Sequence, residues 1–320
     1  MATIRDVANR ANVSVSTASR ILSNSTKEKY ADGTRARVLE ASIELGYRPN
    51  FAARALVSGK TRIIAAVFPR FYDTPFTALA SLQILAGIEA YCSDNGYHML
   101  ISSPKVVDGV IDPNFINLLS GGYLDGAIID GHANISPIME FMSDLDIPLV
   151  LLGTYPYRYY LRSDNQMGGR LMMEHLLALG HRRIGLIALR DIEERLRGVQ
   201  QAAANHGLDL SRLPCEFGDF SQASGEAAAQ RLISGHPDLT GIVAFNDRMA
   251  MGAIRCLQRM GYRVPQQISV VGHDDLPRSQ DFNPPLTSIN HQLPKWGRLA
   301  MNMLLAIIQG DAPEPITLTP

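Results

Sequence analysis

TIRDVANRANVSVSTASRIL, residues 3–22, carries two short helical patterns with a break between them. Thr3 followed by Asp6 makes a capping-box pattern, with Asp in place of the usual Glu or Gln. Ile4, Val7 and Ala8 then fall on one helical face. Asn12 marks the turn, because its short amide tolerates left-handed backbone. Ser14 suits the N-cap of a second helix that points Ala18, Ile21 and Leu22 inward. Two two-turn helices joined by three or four residues predict a helix-turn-helix. A third helix is predicted over 34–45, TRARVLEASIEL, with Val38, Leu39 and Leu45 apolar and Gly46 as its stop.

Working outward, residues 47–61 (YRPNFAARALVSGKT) form a linker. Pro49 and Gly59 bracket an Ala-rich piece too short to be a stable helix alone. From Arg62 the pattern changes to Val/Ile-rich runs at 62–68, 97–102, 126–130, 148–152, 183–188, 241–245 and 268–272. Amphipathic helical runs lie between several of them, at 82–96, 167–180, 194–207, 224–235 and 247–261. This alternation predicts an α/β protein with doubly wound parallel sheets. Seven such units exceed one comfortable sheet, so two lobes are expected.

Charge is distributed unevenly. Residues 1–62 hold eleven Lys/Arg against five Asp/Glu, and the rest hold nineteen against twenty-six. A basic head on an acidic body fits a polyanion-binding module attached to something else. The three cysteines, Cys92, Cys215 and Cys256, are far apart and suggest neither a disulfide framework nor a metal site. His175 and His181 also lack metal-ligand spacing, and no cofactor is expected. No apolar run approaches the roughly eighteen residues of a membrane span, and the N-terminus has no apolar leader. A soluble, cytoplasmic protein is expected.

Several further stretches join the opening one in a consistent register. They are LGYRPNFAARALVSGKTRII (45–64), LDGAII (124–129), RSDNQMGG (162–169), LGHRRIGLI (179–187), RLRG (195–198), NDRMAMGA (246–253), VPQQISVVGHDD (264–275) and PPLTSI (284–289). Together they resemble the LacI/GalR family of bacterial transcription regulators over essentially the whole chain. The resemblance implies a three-helix headpiece (1–46), a hinge (47–61) and a two-lobed, periplasmic-binding-protein-like core. Its N-terminal lobe would be 62–161 plus 291–320, and its C-terminal lobe 162–290. It implies a repressor acting as a homodimer on a pseudo-palindromic double-stranded operator, with a sugar-like effector between the lobes.

Three departures from the family pattern stand out. The loop before the third helix lacks the usual cap, so that helix would begin irregularly near Asp32. His273 stands where an aromatic residue is common. The sequence ends at ITLTP, which leaves the closing edge strand in question and no room for a tetramerising helix.

A recognition helix reads base edges with its N-terminal residues. These would be Val15 and Ser16, then Thr17, Ser19 and Arg20. Arg20 can fork to guanine or to a phosphate. Thr3, Ser14, Thr17 and Asn24 read as phosphate contacts, which position without specifying. In the hinge, Leu56 with Ala53 would wedge a minor-groove base step, flanked on the backbone by Asn50 and Arg54.

For the effector, the resemblance maps Arg195, Asn246 and Asp274. Arg195 would fork hydrogen bonds, Asn246 would donate and accept, and Asp274 would accept from hydroxyls. Phe76 and Phe220 are stacking candidates with core packing as the plain alternative, and Arg70, Tyr72 and Asp73 sit at a strand mouth. The run TYPYRYYLR (154–162) is read as an interface or a pocket rim. Asp164, Asn165 and Asp275 are read as structural, the first two as helix caps. His273 reads as a satisfied strand-end histidine.

An enzyme is disfavoured, because no GxGxxG loop or GxSxG elbow occurs. A solute-binding protein for transport is the better rival, but it would need an export signal and would not carry a headpiece.

Overall fold

The computed structural model describes residues 2–22, 30, 32–48, 59–69, 78–107, 110–131, 135–145, 147–190, 192–209 and 213–320. The chain divides into two compact units, Met1–Thr61 and Arg62–Pro320.

The first unit contains helices α1 (Ile4–Ala11), α2 (Val15–Leu22) and α3 (Asp32–Glu44). The capping box forms as expected: Thr3 Oγ1 accepts from Asp6 N at 3.3 Å, and Asp6 Oδ2 accepts from Thr3 N at 2.8 Å. Those bonds to Thr3 hold the Asp6 carboxyl below the usual range. Asn12 ends α1 with φ 52°, the left-handed turn its amide tolerates. Ser14 Oγ accepts from Thr17 N at 3.1 Å and caps α2. Val7, Ala8, Ala11, Ala18, Ile21, Val38 and Ala41 form the core. Helix α3 begins at Asp32, where the missing cap placed its start, but Leu39 and Leu45 are exposed because Ala41 takes the inward position beside Val38.

The second unit begins with β1 (Ile63–Val67), α4 (Leu79–Asn95), β2 (His98–Ser102) and a small antiparallel pair, β3 (Val106–Val107) and β4 (Val110–Ile111). Then come α5 (Pro113–Ser120), β5 (Gly126–Gly131), α6 (Ser136–Ser143), β6 (Leu149–Gly153) and β7 (Tyr160–Ser163). The chain continues through α7 (Asn165–Ala178), β8 (Ile184–Ala188), α8 (Glu193–Asn205), β9 (Cys215–Phe217), α9 (Gln222–Gly235), β10 (Gly241–Ala244), α10 (Asp247–Arg259) and β11 (Ser269–Asp274). It closes with α11 (Pro277–Gln280), β12 (Thr287–Asn290), α12 (Leu293–Ile308) and β13 (Ile316–Leu318).

Two parallel sheets result. The first has the order β13-β7-β6-β5-β1-β2 and the second β12-β11-β10-β8-β9. All seven sequence-predicted runs are strands; six have buried centres, as parallel strands covered on both faces require, whereas β2 lies at a sheet edge and is half-buried to exposed. The chain crosses between sheets after β7, returns after β12, and ends in the first sheet. The expected boundary at 161/162 falls inside β7, which pairs with β6 and β13, so the first lobe runs through Ser163. The closing edge strand left in question forms after all: Ile316, Thr317 and Leu318 pair with Leu161, Arg162 and Ser163. Helix α12 packs on α4 through buried Trp296, Ala300, Met301 and Leu304. Among the described residues no helix is long and apolar enough to cross a membrane.

Candidate functional site

A cleft of about 260 Å³ opens where the carboxyl ends of both sheets meet. Phe68, Asp130 and Thr154 reach it from β1, β5 and β6, and Phe220, Asn246 and Asp274 from β9, β10 and β11. Ligands of open α/β sheets bind in this position, beyond the strand ends.

Arg195 forms part of the wall and is 2% exposed. Its Nη2 donates to Asn165 Oδ1 at 2.6 Å, and its Nη1 donates to the Phe245 carbonyl. Burial pushes its pKa down to about 10, while Asp274 and Asp247 push it back up. The guanidinium therefore stays charged at neutral pH. Two arms of the expected fork already have protein acceptors, which fixes its plane. Asn165 corrects the sequence reading. The cap of α7 is Asp164, whose Oδ1 accepts from Met167 N at 2.8 Å, whereas Asn165 is a buried cleft residue holding Arg195.

Asn246 also differs from expectation. It caps α10, with Oδ1 accepting from Met249 N at 2.9 Å, and its Nδ2 donates to the Phe220 carbonyl at 3.1 Å. Its first duty is to position, although it still lines the cleft. The residue it holds, Phe220, has φ 69° and is half-buried against the second core while facing the cleft. Holding a phenylalanine in the left-handed region needs such a restraint.

Beside Asn246, sequence reading passed over Asp247. Its carboxylate is fully buried and accepts from Ser279 Oγ and Ser288 Oγ at 2.5 Å each and from Leu276 N at 2.9 Å. Burial, and then the charge of Asp274, raise its pKa to about 6. These bonds gather the segment after β11 and the strand β12 around one point, and so aim Asp274 into the cleft. The signal was present in the doublet of Asn246 and Asp247 at a strand-to-helix turn, a position that favours capping residues.

Asp274 has φ 126°, outside ordinary L-residue space. Its Oδ1 lies 3.3 Å from His273 Nδ1 and 3.6 Å from His291 Nδ1. His273 is fully buried; its Nδ1 is in hydrogen-bond range of Asp274 Oδ1 but its Nε2 has no hydrogen-bond partner, so the satisfied histidine expected from sequence is met at one ring nitrogen only. Burial, then the charge of Arg195, push its pKa down to about 3, leaving a neutral imidazole. His291 meets His273 edge-on at 4.7 Å and Trp296 at 4.9 Å, and Trp296 Nε1 donates to the His291 carbonyl at 3.1 Å. The Asp275 backbone N–H donates to Ser288 Oγ at 3.0 Å. Of the run 154–162, Thr154 alone lines the cleft, while Arg158 and Arg162 stack on Tyr159 and Tyr160.

In the first unit, α2 presents exposed Ser16, Arg20 and Val15, the last 42% exposed, with Thr17 and Ser19 half-buried beside them. Ser14 Oγ lies 2.8 Å from both Ser16 Oγ and Thr17 Oγ1, and Thr3 Oγ1 donates to Asp6 Oδ2 at 2.8 Å. The Thr3 hydroxyl proton is therefore engaged, and a phosphate would have to displace Asp6 to receive it. Asn24, Asn50, Ala53, Arg54 and Leu56, and the effector candidates Arg70, Tyr72, Asp73 and Phe76, lie outside the described residues.

A helix-turn-helix unit with a basic balance, linked to a two-lobed core with a polar cleft at its strand ends, defines a ligand-responsive DNA-binding regulator. Residues 3–50 match the model of bacterial regulatory proteins of the lacI family, and residues 173–320 match a periplasmic binding protein-like domain. The chain is 31% identical to the HTH-type transcriptional regulator CelR of Thermobifida fusca over 99% of its own length and 94% of that protein. It is 30% identical to the HTH-type transcriptional repressor PurR of Aliivibrio salmonicida (strain LFI1238), over 97% and 93%. Among solved structures it is similar to the lac repressor dimer bound to operator and the anti-inducer ONPF, with a TM-score of 0.86 and 26% identity over 99% and 96% of the two chains. It is also similar to a CelR–cellobiose complex, with a TM-score of 0.74 and 29% identity over 100% and 97%. The chain belongs to the LacI family. It is an effector-controlled, DNA-binding transcriptional repressor and not an enzyme.

Proposed function

We propose that the effector is a sugar or sugar derivative held between the lobes by Arg195, Asp274 and Phe220, and that it controls operator binding by a homodimer. The observation that carries this is the composition of the cleft. Asp130, Asp219 and Asp274 offer acceptors to hydroxyl groups, and aromatic faces from Phe68, Phe220 and Trp296 suit the apolar side of a pyranose. The fixed guanidinium of Arg195 keeps donor capacity at the wall. The complex of the relative CelR with cellobiose supports the same chemistry.

Val15, Ser16, Ser19 and Arg20 read base edges, with Thr3, Ser14, Thr17 and Asn24 on the backbone. The hinge residues Asn50, Ala53, Arg54 and Leu56 add a minor-groove contact. Two copies on one pseudo-palindrome double the small contact each head makes. The effector then shifts operator affinity by the difference in its own affinity for the two lobe arrangements.

The test is a thermal-shift screen of the full chain over mono- and disaccharides, sugar phosphates and nucleobases. A neutral sugar that raises the melting temperature of the wild type but not of Arg195→Ala supports the reading. A shift produced only by nucleobases, or one surviving in Arg195→Ala, overturns it.

A further inference from the structure

His291 lies eighteen residues beyond His273 and seventeen beyond Asp274 in sequence, and the return of the chain after β12 brings their donor atoms together. Two imidazole nitrogens and one carboxylate oxygen fall within 4.8 Å of one another. We propose that these three residues form a divalent transition-metal site, of the zinc type, at the edge of the cleft.

The distances fit a shared ion, although His273 Nδ1 and Asp274 Oδ1 also lie within reach of a long hydrogen bond. An imidazole N–H usually bonds to oxygen at about 2.7–3.2 Å. Both histidine Nδ1 atoms stand off further, at 3.3 and 3.6 Å from Asp274 Oδ1. Two ligands bound tetrahedrally to zinc at about 2.0–2.1 Å are separated by about 3.3–3.4 Å, so the carboxylate-to-imidazole separations of 3.3 and 3.6 Å are near those of a zinc site and small shifts of the rings would close it. Two histidines and a carboxylate are also a donor set that suits zinc, iron and nickel more than magnesium or calcium.

The surroundings support a preformed site. Asp274 is held in strained backbone with φ 126°, and the residue after it is tied by Ser288. The edge-on contacts of His291 with His273 and Trp296 fix the rings. The Arg195 cation opposes a second positive charge nearby, and the carboxylates of Asp274 and Asp247 supply the compensation. Asp274 and His291 both line the cleft, so an open coordination position would face it. A hydroxyl or carboxylate oxygen of the effector can occupy that position. This last clause rests on the proposed effector reading, whereas the metal site itself does not.

Zinc chloride is titrated calorimetrically into chelator-treated full-length protein without sugar, using wild type, His291→Gln, Asp274→Asn and a Cys215→Ser control. One zinc per chain is expected, with affinity reduced at least tenfold in the first two variants and unchanged in the control. No saturable binding, or equal affinity in His291→Gln, overturns the site. If those variants fail to fold, cobalt(II) bound to the wild type decides. Visible ligand-field bands without a thiolate charge-transfer band support it, and their absence overturns it. Sugar-induced stabilisation measured in the presence of chelator reports on the effector reading separately.

Discussion

Arg195 Nη2 donates to Asn165 Oδ1 at 2.6 Å, joining α8 to the first residue of α7 beneath the cleft. That bond is possible because the two helices touch backbone to backbone. A Cβ on Gly169 would overlap the Arg195 carbonyl, and one on Gly198 would overlap the Gln166 carbonyl. The sequence motifs RSDNQMGG and RLRG are thus two halves of one contact, with the glycines setting the approach and the arginine held within it.

Arg195→Lys should fail to restore the sugar response lost in Arg195→Ala. An ammonium is a point donor and cannot hold Asn165 and the Phe245 carbonyl while also facing a ligand. Thermal shift with the sugar found in the screen checks this. A lysine variant responding like the wild type would show that charge alone suffices.

Gly198→Ala should destabilise the second lobe by about 1–3 kcal/mol, the usual effect of overpacking a tight contact. Urea denaturation of the purified core measures it. A change within experimental error would mean the helices separate freely, against the close approach described here.

For Asp247 the pH dependence has a definite sign. Its folded pKa, about 6, lies above its ordinary value of 3.8, so the folded state binds the extra proton between those limits. Its contribution is greatest at low pH and is lost as pH rises through about 6. Unfolding free energies of wild type and Asp247→Asn, compared at several pH values from 4.5 to 7.5, should show the wild type losing ground as pH rises. The expected loss is on the order of 2–3 kcal/mol. A difference that is flat, or that moves the other way, contradicts the buried-carboxyl account.

In the headpiece, Ser14→Ala should cost about 1 kcal/mol by removing the cap of α2. Arg20→Ala should leave stability unchanged and weaken operator binding by about 1–3 kcal/mol if the residue reads a base. Circular dichroism melting and fluorescence anisotropy separate the two effects. Equal operator affinity in Arg20→Ala would remove that residue from the interface.

Much of the fold was legible because its signals are local. Thr3, Asn12 and Ser14 act on neighbours within four residues, and the seven apolar runs are strands, all but the edge strand β2 with buried centres. Strands β7, β9, β12 and β13 escaped because they are short edge or near-edge strands with mixed burial, such as the half-exposed Cys215–Phe217. Helix α12 lies outside the predicted helical runs, although Leu293, Trp296, Ala300, Met301 and Leu304 mark one face.

The cleft was legible only in part. Arg195, Asn246 and Asp274 carry motif positions, but the partner of Arg195 was hidden behind the helix cap next to it. The pairing of His273 with His291 depends on a chain crossing that no local spacing reveals.

The most direct test of the account joins the two units in one measurement. The full chain is titrated against a duplex selected from random sequence, by anisotropy at two salt concentrations, with and without the sugar that passes the screen. The account predicts sequence-selective binding that weakens with salt and changes at least fivefold with the sugar in the wild type, but not in Arg195→Ala. Operator affinity unchanged by every stabilising sugar, or changed equally in Arg195→Ala, would contradict it.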